Sequence, residues 1–247
     1  MPVANQVSNK VVISQPMYFP WIGILEQVRL ADVFVFYDDV QFTKGFFNRV
    51  QIKTINGIKW MTIPLREHHR GQCINELEVD ERVDWRSQHR DILRQAYLKS
   101  PFRDEALALV DEVFSFNSCM LADISKASIF ALANYFSLTK STKFISSTDI
   151  DVSGTSSQRL RNICLALKAD VYITGHGAKK YLDYEIFEQS QINVEYMDYR
   201  CKPYLQQHGE YTPYVTALDL VANCGNKGVD YVRSNSVYWR RFLNGQS

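Results

Sequence analysis

"TKFISSTDIDVSGTSSQRLRNICLALKADVYITG", residues 142–175, sets two short apolar runs on either side of a helical pattern. "TKFISST" and "DVYITG" are brief and rich in β-branched and aromatic residues, which suits buried strands. Between them, "TSSQRLRNICLALKA" reads as a helix, with capping candidates from Thr155 to Ser157. The rhythm continues beyond: "DYEIFEQSQ" reads as a helix and "INVEYMDY" as another strand. Strands alternating with helices across residues 143–199 predict a parallel sheet covered on both faces.

The N-terminal part repeats the alternation. "VVISQP" reads as a strand stopped by Pro16. "WIGILEQVRLADV" then places Ile22, Leu25, Val28 and Leu30 on one helical face, and "VFVFYDD" is a second strand. In "NRVQIKTINGIKWMTIPL", Asn56-Gly57 between alternating runs signals a tight hairpin. In that hairpin Val50 and Ile52 pair near Trp60 and Thr62. "REHHRGQCINELEVDER" reads as a polar loop leading to a short edge strand.

Residues 84–138 are helical throughout, beginning at an Asp84 cap, and form a candidate helical subdomain. "YVTALDLVANCG" is a final helix stopped by Gly225. The expected class is α/β: a largely parallel sheet flanked by helices, with a β-hairpin and a helical middle region. Residues 1–247 read as one α/β unit, without repeats or linkers.

The chain has 247 residues, 46% hydrophobic and 22% charged, so a sizeable core is expected. A formal net charge of +1 supplies no global field for nucleic acid. No apolar run approaches the roughly 18–20 residues of a membrane span. "MPVANQVSNK" lacks the apolar core of a secretory signal, so a cytoplasmic location is expected. Cys73, Cys119, Cys164, Cys201 and Cys224 are scattered, with no Cys-x-x-Cys spacing. They read as reduced thiols, Cys164 as core, and no metal site is expected.

In parallel α/β sheets, ligands gather at the carboxyl ends of the strands. Those exits are Ser14-Gln15-Pro16, Asp38-Asp39-Val40-Gln41, Gly175-His176-Gly177 and Tyr199-Arg200. "YDDVQFTKGFFNR", residues 37–49, crowds hydrogen-bonding groups behind the second strand. Adjacent Asp38 and Asp39 point in opposite directions on an extended chain, which argues against a shared-proton dyad. Lys44, Asn48 and Arg49 supply donors suited to phosphate or carboxylate. His176, between two glycines, is the histidine best placed for acid–base work. His68, His69 and His89 read as surface residues, and His208 stays open. Neither a Gly-x-Ser-x-Gly elbow nor a Walker-type phosphate loop occurs.

"ISQPMYFPWIGILEQVRLADVFVFYDDVQFTKGFFNRVQIK" resembles the opening of the WbqC-like family, with its Gln-Pro, Tyr-Phe-Pro, Asp-Asp-Val-Gln-Phe and Asn-Arg elements in order. "YITGHGAKKYLD", "YLQ" and "YTPYVTALDLVANCG" are similar to its later blocks, so the resemblance covers about residues 10–225. It implies a role in bacterial O-antigen or other surface-polysaccharide synthesis. By position it marks Gln15, Pro16, Tyr18, Asp38, Asp39, Gln41, Lys44, Asn48, Arg49, Gly175, Tyr181, Tyr204 and Gln206. Ser14 stands where relatives would carry histidine or methionine, which argues against an obligate catalyst there. The N-terminal pattern is also similar, at the level of fold, to nucleotidyltransferases of the HIGH class, but their His-x-Gly-His motif is absent.

The functional expectation is a transferase placing an acyl or aminoacyl group on a nucleotide-linked amino sugar. The donor is free or on a carrier, and no cofactor is specified. Asp38, Asp39 and His176 are the catalytic candidates, with the choice of base open. Gln15, Tyr18, Gln41, Lys44, Asn48, Arg49, Gly175, Tyr181, Tyr204 and Gln206 are the binding candidates. The alternatives are a non-catalytic sugar-nucleotide or partner-binding protein and a diverged nucleotidyl or phosphoryl transferase.

Overall fold

A computed structural model describes residues 8–43 and 45–245. Its main sheet is built from β1 (Lys10–Ser14), β2 (Val33–Phe36), β5 (Lys143–Ser146), β6 (Val171–Thr174), β7 (Asn193–Met197) and β8 (Ser236–Tyr238). The strand order is β5-β2-β1-β6-β7-β8. All pairings are parallel except β7 with β8. The α/β reading of the sequence is borne out. Numbered within the sheet alone, the order is 3-2-1-4-5-6, the doubly wound pattern that reverses direction beside the first strand. The reversal lies between β1 and β6.

Strand periodicity explains the two covered faces. Val12, Phe34 and Ile173 point into one core, with Ile24, Leu25 and Val28 of α1 (Ile22–Leu30). Val11, Ile13, Val35, Tyr172 and Val194 alternate into the other. There they meet Leu160, Ile163 and Cys164 of α5 (Ser156–Ala166), Phe187 of α6 (Tyr184–Gln189) and Phe242 of α9 (Trp239–Asn244). Residues two apart share a face and neighbours oppose.

The hairpin consists of β3 (Arg49–Thr54) and β4 (Gly57–Thr62). Its two-residue turn is Ile55-Asn56, one position earlier than the Asn-Gly signal suggests. Gly57 carries the positive φ of 91° that closes it. Val50 therefore pairs with Met61, and Ile52 with Lys59.

The helical middle contains α2 (Trp85–Ala96), α3 (Arg103–Ser115) and α4 (Leu121–Tyr135). Asp84 caps α2 by accepting from the Ser87 amide. The expected edge strand after the polar loop reduces to isolated bridges, Leu65 with Val79 and Glu78 with Met120.

α7 (Ala217–Cys224) stops at Gly225, whose φ is 56°. A short α8 (Val229–Val232) follows and leads into β8. That antiparallel edge strand was not anticipated, because a three-residue strand shows too little alternation to signal itself. Among the described residues, no helix is long and apolar enough to cross a membrane.

His89 is corrected: it is buried, not superficial. Its Nε2 lies 3.1 Å from the Thr62 carbonyl, which can only accept, so Nε2 carries the proton. Nδ1 then accepts from the Tyr18 hydroxyl at 3.0 Å. A sequence position on a polar helix gave no sign that two outside elements would supply both partners.

Candidate functional site

A crevice of about 540 Å³ opens where the sheet reverses, a volume typical of small-molecule sites. Ser14 and Gln15 form one wall as β1 ends; Thr174, Gly175 and Gly177 form the other as β6 ends. Tyr37, Tyr181 and Ser156 complete the rim. Parallel strands with helices on opposite faces leave such a gap, because the adjoining crossovers depart in opposite directions.

Gln27 reaches the floor from the buried face of α1. Its Oε1 is buried and accepts no hydrogen bond among the described residues. Such an orphan acceptor costs about 1–3 kcal/mol. Gly175 packs closely beside it: a Cβ there would lie 3.0 Å from Gln27 Nε2, so the Gln27 amide would have to shift to admit a side chain. Ser156, which begins α5, has a left-handed φ of 50°, and no side chain caps that helix. The N-terminus of α5 therefore offers amide donors toward the crevice.

Asp39 stands behind Tyr37. It accepts from Ser147 Oγ at 2.6 Å and pairs with Arg159. Burial pushes its carboxyl up, but the bonds from Arg159 and Ser147 outweigh this and hold it below the usual carboxylate range. The Arg159 guanidinium also lies 5.2 Å from the Tyr37 ring centroid. Asp38 turns the other way, toward α4, and pairs with Lys126 Nζ at 2.6 Å. The carboxylates thus have separate cations, as their alternation along the chain requires.

The remaining sequence candidates fall into three places. Gln15, Gly175 and Tyr181 line the crevice, whereas Asn48 and Arg49 line a different groove beside the hairpin. Tyr18, Tyr204 and Gln206 are buried. Tyr204 donates to Asp219 at 2.8 Å, while Gln206 accepts from Lys53 at 3.2 Å. This polar network fixes residues 204–212 against β3. Gln41 is exposed, its backbone bridging to Cys73. Lys44 lies outside the described residues. His176 is not among the crevice-lining residues; its Nε2 donates to the Met197 carbonyl at 2.8 Å, and its ring packs on Phe242. Among the described residues, no three His, Cys, Asp or Glu side chains converge as metal ligands.

Comparison with known proteins places this arrangement. The model of the WbqC-like protein family matches residues 15–231, nearly the whole chain. The chain belongs to the WbqC-like protein family. It is also 32% identical over 229 residues to "Uncharacterized protein Rv1507c" of Mycobacterium tuberculosis (strain ATCC 25618 / H37Rv), covering 91% of this chain and 98% of that protein. No solved structure matches the chain.

Within this WbqC-like fold, sequence reading missed Gln27, Tyr37, Ser156, Arg159 and Lys126. Gln27 carried a faint signal, an amide beside Glu26 on a helix otherwise rich in buried aliphatics. "TSSQRLR" carried another, as a helix start able to hold an anion. Lys126 had none, since its partner is 88 positions away by residue number (126 − 38).

Proposed function

We propose that this protein is a transferase of bacterial surface-polysaccharide synthesis that binds a nucleotide-linked amino sugar in the crevice between β1 and β6. The observation that carries the reading is the crevice at the point of strand reversal, with the Gln27 amide packed beside Gly175. The uncapped start of α5, where Ser156 lines the crevice, suits the diphosphate. The amides of Gln15 and Gln27 and the rings of Tyr37 and Tyr181 suit a sugar or base.

In the reaction, the sugar amine attacks the carbonyl of an acyl or aminoacyl donor. An N–C bond forms, and the bond from that carbon to its leaving group breaks. The nitrogen becomes acidic as the bond forms, so a carboxylate can take its proton and return it to the leaving group. No carboxylate lines the crevice among the described residues; Asp39, behind Tyr37 and held in orientation by Arg159 and Ser147, is assigned that role in this reading.

Calorimetric titration with nucleotide-linked amino sugars tests the reading. Gln27→Leu and Gly175→Val are expected to weaken binding by about tenfold or more, the equivalent of roughly 1.4 kcal/mol. Asp39→Asn should leave binding within a few-fold and lower turnover by about 100-fold or more. Absence of binding by every nucleotide sugar would refute the assignment. Among the described residues no acidic or basic side chain lines the crevice, which favours a second reading as a non-catalytic binder. Binding without turnover across acyl and aminoacyl donors would select that reading.

A further inference from the structure

The crevice leaves unexplained the other half of the 37–49 segment, which ends in a separate groove at the base of the hairpin. We infer that this groove is a second ligand site, taking the carboxylate of a small acid with an apolar body.

Arg49 is its charged member. Nε donates to the Gly45 carbonyl at 3.0 Å, and the guanidinium lies 4.4 Å from the Trp60 ring centroid. Those contacts fix the plane of the fork and leave its Nη end without a partner among the described residues. Unlike Arg66, Arg82, Arg86 and Arg90, it is paired with no carboxylate among the described residues. Two parallel N–H groups at that end match the two oxygens of a carboxylate.

The rest of the groove sets the ligand class. Ile63, Leu65 and Phe42 give it an apolar lining. His68 stands edge-on to Phe42, with ring centroids 5.6 Å apart. Asn48 donates through Nδ2 to the Ile63 carbonyl at 3.1 Å, which leaves Oδ1 as an acceptor for a ligand donor. The volume, about 330 Å³, suits a compact ligand. No second arginine or lysine lines the groove among the described residues. The planar fork set over an apolar lining matches a carboxylate on an apolar body. The inference stands whether or not the crevice binds a nucleotide-linked sugar.

Trp60 reports on the site directly, because it shares the Arg49 guanidinium. With four tryptophans in the chain, 5-fluorotryptophan labelling gives a short fluorine spectrum in which Trp60→Phe assigns the relevant signal. Titration of the full-length protein with isovalerate, phenylacetate or leucine should shift the Trp60 resonance saturably. Arg49→Ala should abolish the shift. Arg49→Lys, which keeps the charge but loses the fork, should weaken it by about tenfold. Circular dichroism establishes that both variants are folded. An unmoved Trp60 signal with all three acids, an undiminished shift in Arg49→Ala, or an equal response to inorganic phosphate would each overturn the assignment.

Discussion

Replacing Lys126 with methionine is expected to destabilise the fold by about 3 kcal/mol at neutral pH. The cause is what remains behind. The Asp38 side chain is only 2% exposed, one oxygen receives Lys126 Nζ, and the other has no donor among the described residues. Removing the ammonium strands a carboxylate in a poorly solvated place, where breaking an ion pair costs about 3–5 kcal/mol. Lys126 is 22% exposed, so water offsets part of that cost. Adding Asp38→Asn to the Lys126→Met protein should restore most of the stability, because the charge itself is then gone. Urea unfolding of both singles and the double measures this coupling. A Lys126→Met protein within about 0.5 kcal/mol of the parent would show the pair to be solvated and energetically idle.

Acid should destabilise the protein through His89, and His89→Gln should remove that component. Burial lowers the His89 imidazole from 6.5 to about 4, against a smaller raising effect from the Thr62 carbonyl. The folded state holds the ring neutral while the unfolded chain protonates it near 6.5. Stability is therefore complete above pH 6.5 and falls by about 3 kcal/mol as pH drops toward 4. Protonated Nδ1 could no longer accept from Tyr18.

Asp219 acts in the opposite direction. Burial raises its carboxyl to about 6, despite the bond from Tyr204 and the charge of Lys53. Its folded value lies above the unfolded one of about 3.9, so its contribution is present at low pH and lost as pH rises through 6. The two effects oppose each other between about pH 4 and 6.5. Glutamine can donate to the Thr62 carbonyl and accept from Tyr18, so only the titration is deleted. His89→Gln should therefore gain stability relative to the parent as pH is lowered through this window. Superimposable pH–stability profiles for parent and variant would refute the role of His89.

Much of the architecture was legible because its signals are local. The short β-branched and aromatic runs "VYIT" and "VFVF", the helical spacing in "WIGILEQVRL" and the glycine that closes the hairpin turn each arise from neighbouring residues and backbone sterics. Even the opposed directions of Asp38 and Asp39 follow from the extended chain. The exits of β1 and β6 mark Gln15 and Gly175 in the sequence. Such exits bear side chains free of the ladder and open to a ligand.

Position in space was another matter. The sequence alone determined the α/β class, the hairpin and the strand exits, since these depend on interactions within a few residues. Tertiary structure decided which exits meet. It joined Ser14-Gln15 to Thr174-Gly175 and brought Gln27 beneath them, because β6 pairs with β1 across more than 150 residues of chain. It sent Arg49 and Asn48 to a groove of their own, and buried Tyr18 with His89 and Tyr204 with Asp219. Strand order and the packing of distant helices fix those partners, and no periodicity within a segment encodes them.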